Sequence, residues 1–396
     1  MSLLQDKTVV LGVSGGIAAY KAAGLVRAYR AAGADVHVVM TRSAEEFIPP
    51  LTLQVLSENR VGRSLFEPGY EYEIGHIQLA RAADVVVIAP ATANVIARVR
   101  AGMADDLLTT VVLATTAPVV VCPAMNTQML RNAATVENLA VLQDRGMHVL
   151  DPDAGALACH EVGPGRLPDP PVVLAATARA LSGQPLAGRR ITVTAGPTRE
   201  AFDPVRFVSN RSSGRMGYAV AAAAWELGAD VTLIHGPTGL DVPPGVRPVP
   251  VTTAAELHDA VHATPGDVLV MAAAVADWRP ADVATEKRKK GEAWAPAFER
   301  TTDVLASLDG APNRPRAVIG FAAETERHLE HGRDKLLRKK LDGIVVNDVG
   351  GPNGAFGNAT NAVTLLAPGR DPVQVERAPK HDVAHAILRW IAEVAP

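Results

Sequence analysis

The stretch KTVVLGVSGGIAAYKAAGLVRAYRAAGADVHVVMT (7–41) contains a complete strand–helix–strand unit. Residues 7–13 form an apolar run rich in β-branched side chains, which predicts a buried strand. The next segment has the spacing of an amphipathic helix capped by Ser14 and closed by Gly33, and ADVHVVMT predicts the second strand. Because this order of elements favours parallel pairing, the chain begins as an α/β sheet.

The same plan begins again at residue 189. RRITVTAG predicts a strand, SSGRMGYAVAAAAWELG opens a helix after a long loop, and ADVTLIHG predicts the following strand. Further apolar runs continue the two sheets, at 84–94, 117–126, 267–278, 316–325 and 342–350. We therefore expect an α/β protein with two doubly wound, mostly parallel-sheet, Rossmann-like domains, 1–187 and 188–396.

The composition argues against several classes of protein. The chain has 396 residues, 48% of them hydrophobic, and a formal net charge of −3, which offers no general attraction to nucleic acid or anionic membranes. No apolar run reaches the roughly 18 residues that a membrane span needs, and MSLLQDKTVVLGVSGG lacks the features of a secretory signal. Two cysteines cannot build a disulfide framework and suit a reducing compartment, so we expect a cytoplasmic protein.

Four short loops follow the predicted strands of the first half: GVSGG, MT, APATAN and CPAMN. Ligands of open parallel sheets bind beyond the carboxyl ends of the strands, where these loops lie. GVSGG is not a dinucleotide fingerprint, because G-x-G-x-x-G is absent. Its small residues and hydroxyl before a helix suit a phosphate, although an ordinary glycine-rich turn has the same pattern.

Three side chains of the first half have the chemistry of catalysis, and each also has a structural explanation. His76 opens a predicted helix and can exchange a proton near neutral pH, or it can be a capping or core residue. Asn126 follows a strand and offers amide donors to a carboxylate, or serves as a turn residue. Cys159 lies in the glycine-rich GALACHEVGPGR, where a thiol can deliver a proton; a buried structural thiol fits Cys122 better.

Taken together, the motifs resemble a known family. SGGIAAYK, GHI, APATAN, PAMN and ACHEVGPGRLPDP resemble the flavin-dependent cysteine decarboxylases of coenzyme A synthesis. TAGPTRE, DPVRFVSNRSSGRMG, AAVADWRP, KRKK and GFAAETE resemble phosphopantothenate–cysteine ligase. In this order, the two halves resemble the bacterial bifunctional phosphopantothenoylcysteine decarboxylase/phosphopantothenate–cysteine ligase. The resemblance implies that CTP activates phosphopantothenate as an acyl-cytidylate, that L-cysteine is then joined to it, and that FMN-dependent oxidative decarboxylation gives phosphopantetheine.

The resemblance also implies roles for residues of the first half. His76 assists thiol oxidation and decarboxylation, Asn126 binds the substrate carboxylate, and Cys159 protonates the ene-thiol that remains after CO2 is lost. The implied FMN contacts are Gly15, Gly16, Thr41, Thr92, Ala93, Asn94 and Ala124. His160 stands where the family usually has a glycine after the cysteine.

In the second half no Walker lysine motif is present. The resemblance implies that Asn210, with Arg206 beside it, stabilises the acyl-cytidylate and that Asp277 holds Mg²⁺ against the triphosphate. The implied nucleotide-binding residues are Asp277, Lys287, Thr302, Asp303, Val304, Leu305, Phe321, Lys335 and Lys339. Thr302 replaces a usual proline. The basic run KRKK can also be a solvated loop or a weak nucleic-acid patch, but no aromatic residues interleave it.

Three functions compete: the bifunctional enzyme, a decarboxylase with a vestigial ligase, and a regulatory flavoprotein that binds other proteins. The presence of Asn210, Lys287 and Asp277 counts against the second function, and the three catalytic side chains of the first half count against the third. We expect small-molecule substrates, no nucleic-acid partner and no membrane. The resemblance implies a homo-oligomer in which decarboxylase trimers, with flavin between subunits, are joined by ligase dimers into a dodecamer.

Overall fold

The chain divides into two compact units, Met1–Gln184 and Pro185–Pro396. The computed structural model describes residues 3–66, 75–156, 161–264, 266–289, 295–324, 327–348 and 358–395. Within these segments, no helix combines the length and the apolar character that crossing a membrane requires.

A parallel sheet forms the centre of the first unit. Its strands are Thr8–Val13 (β1), Asp35–Met40 (β2), Val85–Ala91 (β3), Val119–Pro123 (β4) and His148–Val149 (β5). They lie in the order β2–β1–β3–β4–β5, and every neighbouring pair is parallel. Every residue of β3 is buried, as expected for a strand whose sheet is covered on both faces.

Helices and one hairpin surround this sheet. The helices are Ala22–Ala31 (α1), Pro50–Ser57 (α2), His76–Ala82 (α3), Ala93–Ala101 (α4), Leu107–Ala114 (α5), Thr127–Arg131 (α6), Ala133–Asp144 (α7) and Pro170–Leu181 (α8). Asp153–Ala156 (β6) and Val162–Arg166 (β7) form the antiparallel hairpin. The hydroxyls of Tyr29 and Thr177 lie 2.6 Å apart in the core and join α1 to α8.

Ser14 does not cap a helix, contrary to the sequence prediction. Its Oγ donates to the carbonyl of Pro90 at 2.7 Å and accepts from the Thr92 amide at 3.0 Å. A 3₁₀ turn, Ile17–Lys21, comes between the glycine loop and α1, and no side chain caps it. Because a buried hydroxyl needs hydrogen-bond partners, Ser14 instead joins the loop after β1 to the end of β3.

The strands of the second unit are Arg190–Ala195 (β8), Arg199–Ala201 (β9), Phe207–Ser209 (β10), Asp230–His235 (β11), Arg247–Pro250 (β12), Val268–Met271 (β13), Trp278–Pro280 (β14), Phe298–Arg300 (β15), Ala317–Glu324 (β16), Gly343–Asp348 (β17), Thr360–Leu366 (β18) and Val373–Pro379 (β19). Its main sheet has the order β12–β11–β8–β13–β16–β17–β18–β19. The strands are parallel as far as β17, and β18 and β19 are antiparallel. β9 pairs with β10, and β14 with β15, in small separate sheets.

The helices of the second unit are Arg215–Glu226 (α9), Ala254–Ala263 (α10), Val304–Ser307 (α11), His328–Arg338 (α12) and Lys380–Val394 (α13). Ala221 and Ala224 of α9 and Ile387 and Leu388 of α13 belong to one hydrophobic core with the sheet. The predicted α/β fold with mostly parallel sheets is confirmed. The antiparallel edge formed by β18 and β19 is an addition that the sequence analysis missed.

Candidate active sites

A cavity of about 1090 Å³ lies at the carboxyl edge of the first sheet. Loops that follow β1, β2, β3 and β4 line it, in agreement with the rule for open parallel sheets. All predicted flavin contacts lie in its wall: Gly15, Gly16, Thr41, Thr92, Ala93, Asn94 and Ala124. The structure also brings the predicted substrate-binding residue Asn126 to this wall.

The glycine loop after β1 packs closely against the loop after β2. A Cβ built at Gly15 would lie 2.3 Å from Ser43 Cβ and 2.6 Å from the Ser43 carbonyl carbon, so glycine is required there. A Cβ at Gly16 would meet nothing nearer than Thr92 Cγ2 at 3.4 Å, which is an ordinary contact. The contact at Gly15 therefore sets the spacing of the two loops.

Thr41 shows that the wall suits a polar ligand. Its Oγ1 is buried and has no hydrogen-bond partner among the described residues, whereas the neighbouring Ser14 hydroxyl bonds to Pro90 and Thr92. A buried hydroxyl without a partner costs stability, and a phosphate oxygen in the cavity would satisfy it. The small glycine loop and this hydroxyl fit the phosphate of a flavin nucleotide.

Asn126 is held by hydrogen bonds at both ends of its amide. Its Oδ1 accepts from the Gln128 amide at 2.7 Å and so caps α6, while its Nδ2 donates to Glu161 Oε2 at 2.8 Å. The Met125 amide donates to the carbonyl of Gly165 in β7 at 2.9 Å. The β6–β7 hairpin thus packs against the loop that carries Asn126.

The other two predicted catalytic residues of this half are His76 and Cys159. His76 is the half-buried first residue of α3, as its sequence context predicts, but it does not line the cavity within the described chain. Cys159, with its neighbour His160, lies outside the described residues. Cys122 is fully buried in β4, and burial raises the pKa of its thiol to about 12, as expected of a structural cysteine.

The sequence analysis missed a charged group that also lines this cavity. Arg98 pairs with Asp105 and, at 2.7 Å, with Asp106. The hydrogen bonds that Arg98 donates to Asp105 are the main cause that raises the pKa of Arg98, so its guanidinium stays charged. Asp106 also accepts from the Thr109 amide and caps α5. The available signal was ADD at 104–106, a run of acidic residues just before an apolar helix.

A second cavity, of about 840 Å³, lies at the carboxyl edge of the other sheet. Its wall contains Asn210, Asp277, Thr302, Asp303, Val304, Leu305, Phe321, Lys335 and Lys339. Loops after β10, β13 and β15 contribute to it, with the ends of β16 and β17. Because β18 runs antiparallel, its first residues reach the same edge, and Asn361 there donates to Asn347 Oδ1 at 2.8 Å.

Asn210 is fixed against the loop that follows β13. Its Nδ2 donates to the carbonyls of Ala274 at 3.2 Å and Val275 at 3.0 Å. Nδ2 therefore donates to a ligand only by sharing or exchanging one of these bonds. Asp277, two residues after Val275, is exposed at the cavity wall, where its carboxylate can meet a cation.

Asp303 and Lys339 form an ion pair in this wall. Asp303 also caps α11, because its Oδ1 accepts from the Ala306 amide at 3.0 Å. Although burial opposes them, the bonds from Lys339 and Ala306 hold the pKa of Asp303 below its usual range. The capping bond of Asp303 therefore forms even though Thr302, and not the usual proline, precedes it. Lys335 donates to the carbonyl of Phe321 at 2.8 Å.

Two predicted ligase residues, Arg206 and Lys287, do not line this cavity within the described chain. Arg206 binds Asp203 through Nε at 2.9 Å and Nη2 at 2.6 Å, and it also donates to the Arg288 carbonyl at 2.9 Å. The bonds from Arg206 hold the pKa of the Asp203 carboxyl well below its usual range. Arg206 therefore joins its own loop to the basic loop that carries Lys287.

Two further cations line the second cavity and were missed by the sequence analysis. Arg215 begins α9 and Lys380 begins α13. Burial, and then the charge of Arg215, lower the pKa of Lys380. More than half of the second unit's sequence separates Arg215 from Lys380. Only the sheet topology brings these two residues to one wall, so no local sequence motif could have predicted that they are neighbours.

Two family models match the chain. The one described as Flavoprotein matches residues 2–182, and the one described as DNA/pantothenate metabolism flavoprotein C-terminal domain matches residues 186–394. The coenzyme A biosynthesis bifunctional protein CoaBC of Vibrio vulnificus strain YJ016 is 48% identical over 373 residues, which are 93% of this chain and 93% of that protein. This chain belongs to the CoaBC family.

A second curated relative agrees with this assignment. The Escherichia coli strain K12 protein is 49% identical over 370 residues, 92% of this chain and 91% of that protein. The crystal structure of a CoaBC C-terminal domain is 39% identical and covers 53% of this chain and 97% of its own, with a TM-score of 0.46. The predicted bifunctional enzyme of coenzyme A biosynthesis, with a decarboxylase and a ligase activity, is confirmed, and its first half is a flavoprotein.

Proposed function

We propose that residues 188–396 ligate L-cysteine to phosphopantothenate with CTP and Mg²⁺ through an acyl-cytidylate, and that residues 1–187 decarboxylate the product with FMN. The observation that carries this proposal is the grouping of the candidate residues. Those assigned to the flavin share the first cavity with Asn126, and those assigned to the nucleotide share the second with Asn210.

In the first cavity, the Thr41 hydroxyl and the amides of the Gly15–Gly16 loop would hold the FMN phosphate. Bound FMN supplies a two-electron oxidation at the carbon beside sulfur, which creates the electron sink that loss of CO2 requires. Asn126 Nδ2 would exchange Glu161 for the substrate carboxylate. A neutral amide orients the carboxylate without the full charge that would stabilise it before it leaves.

His76 and Cys159 are assigned the proton transfers of this half, His76 during oxidation and Cys159 after CO2 is lost. Because His76 is not in the part of the cavity wall that the described residues form, we place its action across a subunit boundary. This agrees with the proposed homo-oligomer, in which decarboxylase trimers are joined by ligase dimers into a dodecamer.

In the second cavity, Lys335 and Lys339 would bind the CTP phosphates, and Phe321 would contact the base. Asp277 contributes one carboxylate, which suits Mg²⁺, because this ion usually takes one or two carboxylates together with phosphates and water. Asn210 would donate to the acyl-cytidylate, and Arg206 would support this site from outside the cavity wall, through its bond to the basic loop. Lys287 lies in the basic loop tied to Arg206 and would reach the triphosphate from there.

Two variants test this division of labour. Asn126→Ala should still release CMP and form the cysteine adduct, but it should release no CO2. Lys339→Met should lose CMP release and still decarboxylate adduct that is supplied to it. CMP, CO2 and the adduct are measured in the same reactions by mass analysis. Loss of both half-reactions in either correctly folded variant would contradict the division.

A further inference from the structure

A third group of reactive side chains lies outside both cavities, between α9 and α13. Glu226, the last residue of α9, faces His381 and His385 in the first turns of α13. Their ligand atoms all lie within 4.8 Å of one another. Within the described segments, this is the one group of three or more His, Cys, Asp or Glu donors close enough together to hold a metal ion.

The geometry of the three donors is convergent. His381 Nε2 lies 2.9 Å from Glu226 Oε2, and His385 Nε2 lies 2.8 Å from the same oxygen. The histidines are four residues apart on one helix, so their rings share a face, with centroids 4.7 Å apart and planes inclined by 69°. Two imidazole nitrogens and a carboxylate from a facing helix are a donor set that zinc enzymes use.

Burial supports a ligand at this position. Glu226 is 7% exposed and His385 is 2% exposed, while the His381 side chain keeps 37% of its surface exposed and so gives access from solvent. His385 Nδ1 is buried and has no partner among the described residues.

We propose that Glu226, His381 and His385 bind one divalent transition-metal ion of the zinc class, with water as the fourth ligand. Zinc lies about 2.0–2.2 Å from such donors, so a tetrahedral site separates them by roughly 3.3 Å. The present separations of 2.8 and 2.9 Å therefore open by about half an ångström, a movement that side-chain rotation supplies. The ion replaces the shared hydrogen bonds, and both histidines bind it in the neutral form.

The ion would act as a structural clamp. α9 and α13 share the core of the second unit, and the metal would join the end of one to the beginning of the other. Residue 381 follows Lys380, so the clamp also fixes the part of α13 that reaches the second cavity. Because the ion binds the folded chain, zinc should raise the unfolding temperature by mass action.

A second histidine pair provides the matched control. His258 and His262 are also four residues apart on one helix, α10, and their ring centroids are 4.5 Å apart. They have separate partners, because His258 bonds to Asp259 at 3.0 Å and His262 to Ser307 at 2.9 Å. No carboxylate joins the pair within the described residues, so helical spacing alone is present there.

The test uses the full chain without an affinity tag, treated with a chelator and dialysed. Zinc chloride is titrated in by calorimetry, and the unfolding temperature is followed with and without excess zinc. Wild type and His258→Gln should bind one equivalent per chain at the clamp and gain stability. Glu226→Gln and His381→Gln should weaken zinc binding by at least about 10- to 100-fold, because loss of a residue that only supports a metal ligand already has an effect of this size. Both variants should also lose the zinc-dependent rise in unfolding temperature.

Several outcomes would overturn the proposal. Wild type that takes up no stoichiometric zinc would show that the group is only a hydrogen-bonded cluster. If wild type and His381→Gln bound zinc equally, or if His258→Gln lost binding, the zinc site would lie elsewhere in the chain. His381 is the deciding position if Glu226→Gln does not fold, because its partly exposed side chain tolerates change better than a buried one.

Discussion

Replacing Gly15 with alanine tests how the flavin cavity is built. The new Cβ would start 2.3 Å from Ser43 Cβ and 2.6 Å from the backbone carbonyl carbon of the same residue. Ordinary contact begins at 3.4 Å, so the loop after β2 must retreat by about 1.1 Å, the difference between 3.4 and 2.3 Å. Thr41 begins that loop, and its buried hydroxyl would move with it.

Overpacking of this kind costs about 1–3 kcal/mol. If the flavin-bound form carries the whole cost, the dissociation constant for FMN rises about 5- to 150-fold, since each 1.4 kcal/mol is a factor of ten. The assay is a fluorescence titration of the flavin-free protein with FMN, accompanied by thermal unfolding of the same samples. Thermal unfolding of the flavin-free protein detects any part of this free-energy cost that destabilises the protein before FMN binds.

Gly16→Ala is the matched control, because its Cβ meets nothing nearer than 3.4 Å. This variant should bind FMN within about threefold of wild type, a difference below 1 kcal/mol. The reasoning is refuted if Gly15→Ala matches wild type in both FMN affinity and unfolding temperature. It is also refuted if the two alanine variants lose flavin equally.

Three further variants test individual side chains. Thr41→Val should weaken FMN binding without lowering the unfolding temperature, because Oγ1 has no bond to a described residue; lowered stability with unchanged affinity would contradict this. Asn210→Asp should slow CMP release, because a negative charge would face the acyl phosphate, while decarboxylation of supplied adduct should continue. Unchanged CMP release would contradict a catalytic role for Asn210. Asp203→Asn should flatten the loss of stability in acid. The pKa of Asp203 is lowered in the folded chain, so its stabilisation is complete above the unfolded value of 3.8 and disappears as the pH falls below it. Urea unfolding at several pH values measures this, and parallel profiles for variant and wild type would contradict it.

Much of the architecture was predictable because it is local in sequence. β-branched runs such as 7–13 and the helices that follow them predict parallel strands, and parallel strands place their loops at one edge. The first cavity follows directly, since Gly15, Thr41, Thr92 and Ala124 each come after such a strand. The edge strands β18 and β19 were missed because they extend the sheet in antiparallel fashion, and the strand–helix–strand pattern used for the prediction indicates only parallel strands.

Other features depend on partners that are distant in the chain. Ser14 looks like a helix cap, but Pro90 and Thr92 bind its hydroxyl only after β1 and β3 have paired. Arg206 stands near Asn210 in sequence, yet Asp203 and the basic loop hold it outside the cavity wall. The cluster at Glu226 joins residues more than 150 positions apart, so only the packing of α9 on α13 creates it.

The most direct measurement is conversion by the wild-type chain itself. The purified protein with FMN is incubated with phosphopantothenate, L-cysteine, CTP and Mg²⁺, and the products are identified by mass analysis. We expect phosphopantetheine, with one CMP, one pyrophosphate and one CO2 formed for each molecule. Accumulation of the cysteine adduct without CO2, or no CMP at all, would contradict the proposal that both cavities are working active sites.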